Sequence, residues 1–399
     1  MSRDLLRLAL LLTVALTGAF AEAPAHADTA PPDSLIDGYM RRMADSTSAY
    51  FGMTAELPDT AGLDSVLTAG LAEPPGAPRR MQRAHRVAFS PAIGFNRVDG
   101  WQLGGEAGIG ASRGLGRITS RLQYTMGQED FLGGGRYLRR WTDRRRDAAW
   151  TLDLWGGRST EAFDRDHFQL GYTTIRAILS GADRNQYLRR DGVRGSLLRE
   201  TATGRLSVAY RDQFESSRAT TTQWNLFGRE LALVANGPAV FGRAREAAFA
   251  AEWKLPGTPV RAQLQHWTAG RATNSDFTYR RTRVALGGDV ALTRHIAIAP
   301  QLEWGRLRGD ALPQEAFYLG GSPDVRSIER NERLGTGKAF GRIDALLMDD
   351  VLQLLRIPHP DMFPLQIGAF VGSGAVWGGE AFRGGPATRR DFPRASEWL

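Results

Sequence analysis

From Val87 onward, apolar and polar residues alternate with a period of two, segment after segment. Trp101, Leu103, Gly105, Ala107, Ile109 and Ala111 alternate with Gln102, Gly104, Glu106, Gly108, Gly110 and Ser112. The rhythm returns in Leu206, Val208 and Tyr210 against Arg205, Ser207 and Arg211. It returns again in Ala247, Phe249, Ala251, Trp253 and Leu255 against Glu246, Glu252 and Lys254, and in Ile296, Ile298, Leu302 and Trp304 against His295, Gln301 and Glu303. Successive side chains of a strand point to opposite faces, so each segment predicts a strand with one apolar and one polar face. No helices intervene to cover the apolar faces. A soluble sandwich would bury them against a second sheet, whereas a membrane barrel turns them to lipid and lines its lumen with the polar face. Trp101, Trp150, Trp224, Trp253, Trp304 and Trp377 fall near predicted strand ends, as residues of an interfacial aromatic girdle would. The pattern therefore predicts an all-β chain, an antiparallel transmembrane β-barrel of roughly 12 to 16 strands over residues 87–399.

Composition changes this picture little. The mean hydropathy is −0.32 and no apolar run of helical-span length follows the N-terminus, but a barrel exposes only alternate residues to lipid and gives no such peak. Glycine, at 46 residues, and ten tryptophans suit strands and turns. There is no cysteine, which excludes disulfides, thiolate metal sites and cysteine nucleophiles. Residues 1–27 carry Arg3 and Arg7, an apolar stretch from Leu8 to Phe20, and the small-residue sites Ala19-Phe-Ala21 and Ala25-His-Ala27. This is the pattern of a secretory signal peptide. Residues 28–86, bounded by Pro31-Pro32 and by Glu73-Pro-Pro-Gly-Ala-Pro78, predict a periplasmic segment, part linker and part helix, with Leu35, Tyr39, Met43 and Tyr50 on one face.

The formal charge is +8 and the sequence pI about 10.1. Export argues against nucleic acid as the partner of this charge, and no nucleic-acid-binding motif is present. The basic stretches Gln128 to Arg146 and Asp183 to Arg199 read as long connections. Their arginines suit lipopolysaccharide phosphates, an acidic partner, a solvated loop or the lumen. The segment Asp349 to Pro364, with Pro358, Pro360 and Pro364, must break strand pairing.

Little of the sequence predicts chemistry. The histidines His26, His85, His167, His266, His295 and His359 include no pair at the spacing of a helical zinc site, so neither metal nor cofactor is expected. Ser373, in Gly372-Ser-Gly374, lacks the outer glycine of a nucleophile elbow. Gly335-Thr-Gly-Lys338 has Glu332 where a phosphate loop has its first glycine, and a strand follows it in place of a helix. An outer-membrane acyl hydrolase would need a pair such as Ser207 and His266. The chain is expected not to be an enzyme.

The stretch with most local character is Leu319-Gly-Gly-Ser-Pro-Asp-Val-Arg-Ser-Ile328, followed by the strand pattern Phe340 to Leu346 with Arg342 and Asp344 on one polar face. Phe317-Tyr-Leu-Gly-Gly-Ser-Pro-Asp-Val-Arg-Ser resembles the G-G-x-x-x-V-R-G-[FY] loop of the BamA/TamA-like outer-membrane assembly superfamily, the bacterial surface antigen barrel. Gly337 to Leu347 resembles the strand after that loop. Ala369-Phe-Val-Gly-Ser-Gly-Ala-Val-Trp377 is similar to its later F-x-D-x-G strand, and Gly94-Phe-Asn-Arg-Val-Asp-Gly100 to its barrel opening. The resemblance implies that the loop, with Gly320, Gly321, Val325, Arg326 and Ser327, folds into the lumen and sets Arg326 against an acidic wall residue. Ser327 stands where the family has glycine. Within the later strand motif, Phe370, Gly372 and Gly374, the family's acidic position is Gly372, which leaves Asp344, beside Arg342, as the expected partner of Arg326.

The resemblance also implies a Gram-negative outer-membrane location and a task in protein insertion or translocation, or in lipid handling. Its partners would be outer-membrane lipid, lipopolysaccharide and unfolded or exported protein. Too few residues precede the barrel for the family's POTRA domains or for a patatin-like lipase domain, and this favours the alternative of a passive pore or structural barrel. The chain stops at Ser396-Glu-Trp-Leu399 where another strand would begin, so a C-terminal truncation is expected.

Overall fold

Residues that alternate in polarity form strands throughout the computed structural model. It describes residues 86–111, 116–143, 148–163, 177–178, 183, 185–222, 224–226, 236–321, 324–325, 332–357, 365–383 and 393. The expected signal peptide and nearly all of the expected N-terminal segment lie outside the described residues. In chain order the strands are β1 (Arg86–Asn96), β2 (Gly100–Ala111), β3 (Gly116–Thr125), β4 (Asp130–Asp143), β5 (Ala148–Ala162), β6 (Tyr187–Thr201), β7 (Gly204–Ser217) and β8 (Gly242–Lys254). They continue with β9 (Arg261–Ala269), β10 (Tyr279–Gly287), β11 (Val290–Ala291), β12 (Ile296–Gly309), β13 (Phe317–Leu319), β14 (Arg333–Gly335), β15 (Gly337–Leu347) and β16 (Gly368–Trp377). All but β13 and β14 make one antiparallel sheet of 14 strands in which sequence neighbours pair, except that β10 pairs with β12 past the short β11, which pairs only with β12, and β12 pairs with β15 across the β13–β14 hairpin. β1 and β16 are its two ends, and no pairing closes them among the described residues.

The two faces of this sheet invert the pattern of a water-soluble protein. Val87 and Phe89 are 70% and 75% exposed, and Ile93, Leu122, Val208, Phe249 and Ile343 share their apolar face and their exposure. Between them in the strands, Gln123, Gln213, Glu246, Arg283, Lys338 and Arg342 are buried. No second sheet lies on the apolar face among the described residues, so the sandwich alternative fails. The two-stranded sheet β13–β14 sits on the polar side instead, where the ring of Phe317 packs on Gly305 of β12 and Leu319 on Gly374 of β16. From the same connection, Gln314 and Glu315 reach Glu215 and Arg211 of β7 and Arg190 of β6. A segment can touch β6, β7, β12 and β16 at once only if the sheet curls with its polar face inward.

Antiparallel neighbours place successive connections at alternate ends of the sheet. At one end lie the C-terminal ends of β1, β3, β5, β7, β9 and β12. At the other lie the C-terminal ends of β2, β4, β6, β8, β10 and β15. The first is the long-connection end and the second the short-turn end. The helical turn α1 (Val351–Leu354), capped by the Asp350 side chain, lies in the connection between the paired strands β15 and β16, whose prolines Pro358, Pro360 and Pro364 lie outside the described residues.

Two expectations are corrected. The basic stretches from Gln128 and from Asp183 are not long loops, because β4 and β6 occupy most of each. Their inward arginines meet wall carboxylates, as Arg136 does with Asp153 at 2.8 and 2.9 Å, and charge then becomes compatible with a strand. Of the tryptophans assigned to a girdle, Trp101 packs with Phe95 and Trp224 at the long-connection end, and Trp150 and Trp253 stand at the short-turn end. Trp304 is half-buried within β12. Trp377 is buried, because Gly335 and Gly337 have no side chain to keep it from their backbones.

Candidate functional site

The connection between β12 and β15 leaves the wall through the 3-10 turn Pro313–Glu315 and returns as the β13–β14 hairpin, with Phe317 opposite Gly335 and Leu319 opposite Arg333. Gly320 and Gly321 take φ of 129° and 87°, left-handed values that a side chain would strain, and so reverse the chain after β13. The Asp324 amide closes this turn onto the Gly321 carbonyl at 3.0 Å. The apolar side of the segment is fitted to the wall by missing side chains. The Phe317 ring occupies the space a Cβ on Gly305 would need, with the Arg281 guanidinium 4.3 Å from its centroid. A Cβ on Gly374 would meet Leu319 Cδ1 at 3.0 Å and Val325 Cγ2 at 3.2 Å.

The Asp324 end of the segment is held by charge. Lys338 of β15 donates to both Asp324 carboxylate oxygens at 3.0 Å, and its Nζ lies 3.2 Å from Glu303 Oε1 of β12. Arg283 of β10 donates to the other Glu303 oxygen at 2.8 Å, and Arg342 Nη1 to the Asp324 carbonyl at 3.4 Å. Lys338, Asp324, Glu303 and Arg283 are all buried, so each charge depends on its neighbours for the solvation it has lost.

Of the residues singled out in the sequence, Gly320 and Gly321 make the turn and Val325 is buried against the wall. Arg326 and Ser327 lie outside the described residues. Arg342 and Asp344 share the polar face of β15 and pair at 2.8 Å. Gly372 stands opposite Arg342, whose Cγ lies 3.2 Å from where its Cβ would be; Phe370 stands opposite Asp344, half exposed. His266 lies on the apolar face, bonded to Thr282 Oγ1 at 2.9 Å, while Ser207 lies on the polar one, so the structure does not bring those two together. Ser373 stands in β16 opposite Gly341.

Sequence reasoning missed Asp324 and Lys338 as a pair. The available signal was the period itself, since Lys338 falls in step with Phe340, Arg342 and Asp344.

A second polar cluster holds the start of the segment. Arg190 of β6 donates to Glu215 Oε1 of β7 at 2.8 Å and also to Glu161 of β5. Arg211 and Tyr279 both donate to Glu246. Gln314 donates to Glu215 Oε2 and to the Val240 carbonyl, each at 3.1 Å, and accepts from the Val240 amide at 3.1 Å. Glu315 Oε1 is 3.8 Å from Arg190 Nη2 and 3.9 Å from Arg211 Nη2. Oxygens of Glu215, Glu246 and Glu315 lie within 4.8 Å of one another. Arg190 and Arg211 already supply positive charge there, and the cluster by itself assigns no metal.

Burial, and next the Glu246 carboxylate, push the Glu315 carboxyl well above its ordinary value of 4.5. An acid whose folded-state value is raised binds a proton that the unfolded chain releases, so its contribution is favourable below about 4.5 and fades as pH rises toward the folded-state value. Glu315→Gln is therefore expected to raise the melting temperature at pH 8 and to leave it unchanged at pH 4. Equal shifts at both pH values would show that Glu315 is not protonated in its seat.

No family model matches the chain, and no curated protein matches it in sequence. Among solved structures, a crystal structure of BamA from Haemophilus ducreyi lacking POTRA domains 1-3 is similar, with a TM-score of 0.45 and 9% identity. The similarity covers 75% of this chain and 59% of that one, so the chain spans less than two thirds of that neighbour's length.

Proposed function

We propose that the chain is an outer-membrane β-barrel protein of a Gram-negative bacterium that inserts or translocates protein, or handles lipid, using the β13–β14 segment as a movable plug. The membrane reading rests on the exposed apolar face. Each large apolar side chain left in water forgoes about 1.5–3 kcal/mol, and a whole face of them is stable only against an apolar medium. The observation that carries the mechanism is the seat of the segment on buried ions at both ends. Such ions are costly to desolvate and stabilise little in net terms, but they define one docked position that can be exchanged for another. A passive pore needs no such seat. The opposite faces of Ser207 and His266 give an acyl hydrolase no support.

The absence of cysteine allows a clean test, in which Leu319→Cys with Gly374→Cys ties the segment to β16. The reconstituted double variant is expected to speed insertion of an unfolded outer-membrane barrel, or lipid transfer between vesicles, only after reduction, and to stay closed in planar bilayers while oxidised. Equal activity and conductance in both redox states would make the segment a fixed plug and leave the structural barrel as the function.

A further inference from the structure

At the short-turn end, three neighbouring strands present one cross-strand row, with Trp141 of β4 opposite Trp150 of β5 and Trp150 opposite Arg199 of β6. The row lies on the apolar face, in step with the exposed Leu154 and Val193. The two indoles stack with centroids 6.4 Å apart and planes 7° from parallel. The Arg199 guanidinium sits 5.7 Å from the centroid of Trp150. Arg139, two residues before Trp141 on the same face, sits 5.8 Å from that of Trp141.

Inward-facing arginines of the same strands meet carboxylates, Arg136 with Asp153 and Arg140 with Glu200. Among the described residues Arg199 meets none, and its guanidinium lies over the Trp150 ring. Stacking uses the face of a guanidinium and leaves its in-plane N–H fork for an acceptor. On a surface facing lipid, the acceptor of matching charge and planar geometry at the depth of an indole girdle is a headgroup phosphate. Barrels keep their short turns on the periplasmic side, which puts the row in the phospholipid leaflet.

We propose that Arg199, with Arg139 beside it and the Trp141–Trp150 pair as a platform, binds the phosphate of an anionic phospholipid on the outside of the barrel. This rests on the membrane reading given above. It assigns to two of the arginines of the basic stretches a ligand, a leaflet and a face.

The test is tryptophan quenching of the full chain in phosphatidylcholine vesicles that contain an equal fraction of either brominated phosphatidylglycerol or brominated phosphatidylcholine. A basic residue at an anionic surface favours association by about fivefold, so the native chain is expected to prefer phosphatidylglycerol by at least that factor. Arg139→Gln with Arg199→Gln is expected to bring the preference close to unity, with quenching by brominated phosphatidylcholine unchanged as evidence that the variant still inserts. Equal quenching of the native chain by both lipids, or a preference that survives in the variant, would overturn the site while leaving the barrel in the bilayer. Quenching by neither lipid would overturn the membrane reading and the site with it.

Discussion

Lys338→Met is expected to release the inward segment. Lys338 is the cation between Asp324 and Glu303, at 3.0 and 3.2 Å, and methionine fills a similar volume without charge. Breaking a buried pair by removing one partner costs about 3–5 kcal/mol, because Asp324 loses the Lys338 cation while buried from water and Glu303 keeps Arg283 but loses its second cation. Asp324 belongs to the segment and Glu303 to the wall, so the least costly relief is for the segment to leave. Limited proteolysis between β13 and β14 should therefore quicken by well over tenfold in the variant. Adding Asp324→Asn removes the stranded charge on the segment and should restore more than half of the protection, since the two residues act as one unit. Protection unchanged in Lys338→Met would mean that Phe317, Leu319 and Val325 hold the segment through apolar contacts alone.

The second large effect is expected at Arg190, which is fully buried and joins three strands, accepted by Glu161 of β5 and Glu215 of β7 from its place on β6. Arg190→Met leaves those carboxylates and Glu315 with fewer cations, again a loss of about 3–5 kcal/mol. The damage differs in kind from that at Lys338, because it strikes the wall as well as the seat of Gln314 and Glu315. The whole sheet should melt earlier, and not only the segment. A thermal melt followed by circular dichroism checks this, with one transition at a lower temperature expected for the variant. A melting temperature equal to that of the native chain would show that Arg190 does not hold the three strands together.

The candidate site was legible in the sequence to different depths at different residues. Gly320 and Gly321 stand out because a reversal between two strands demands positive φ, which is a local property. Asp344 and Arg342 were visible as polar-face residues by their spacing, and they do face inward as neighbours on one strand. Lys338 appeared only as the end of an imperfect phosphate-loop pattern. Its role depends on Asp324, 14 residues earlier, turning back across β15, and on Glu303 lying one strand away in register. The basic stretches misled for the same reason: a run of arginines looks like a loop until Asp153, Glu161 and Glu215 are known to face them from neighbouring strands.

Period-two alternation was enough to determine the strands, their two faces and the inversion of polarity between them, because side-chain direction along a strand follows from the backbone of that strand alone. Tertiary structure decided which charges meet, that Trp377 is buried while Trp150 stays on the surface, and that Asp324 and Glu315 hold the two ends of one inserted segment. Those outcomes depend on register summed over many strands and on the path of a single connection across the curl of the sheet. No stretch of local sequence carries that information.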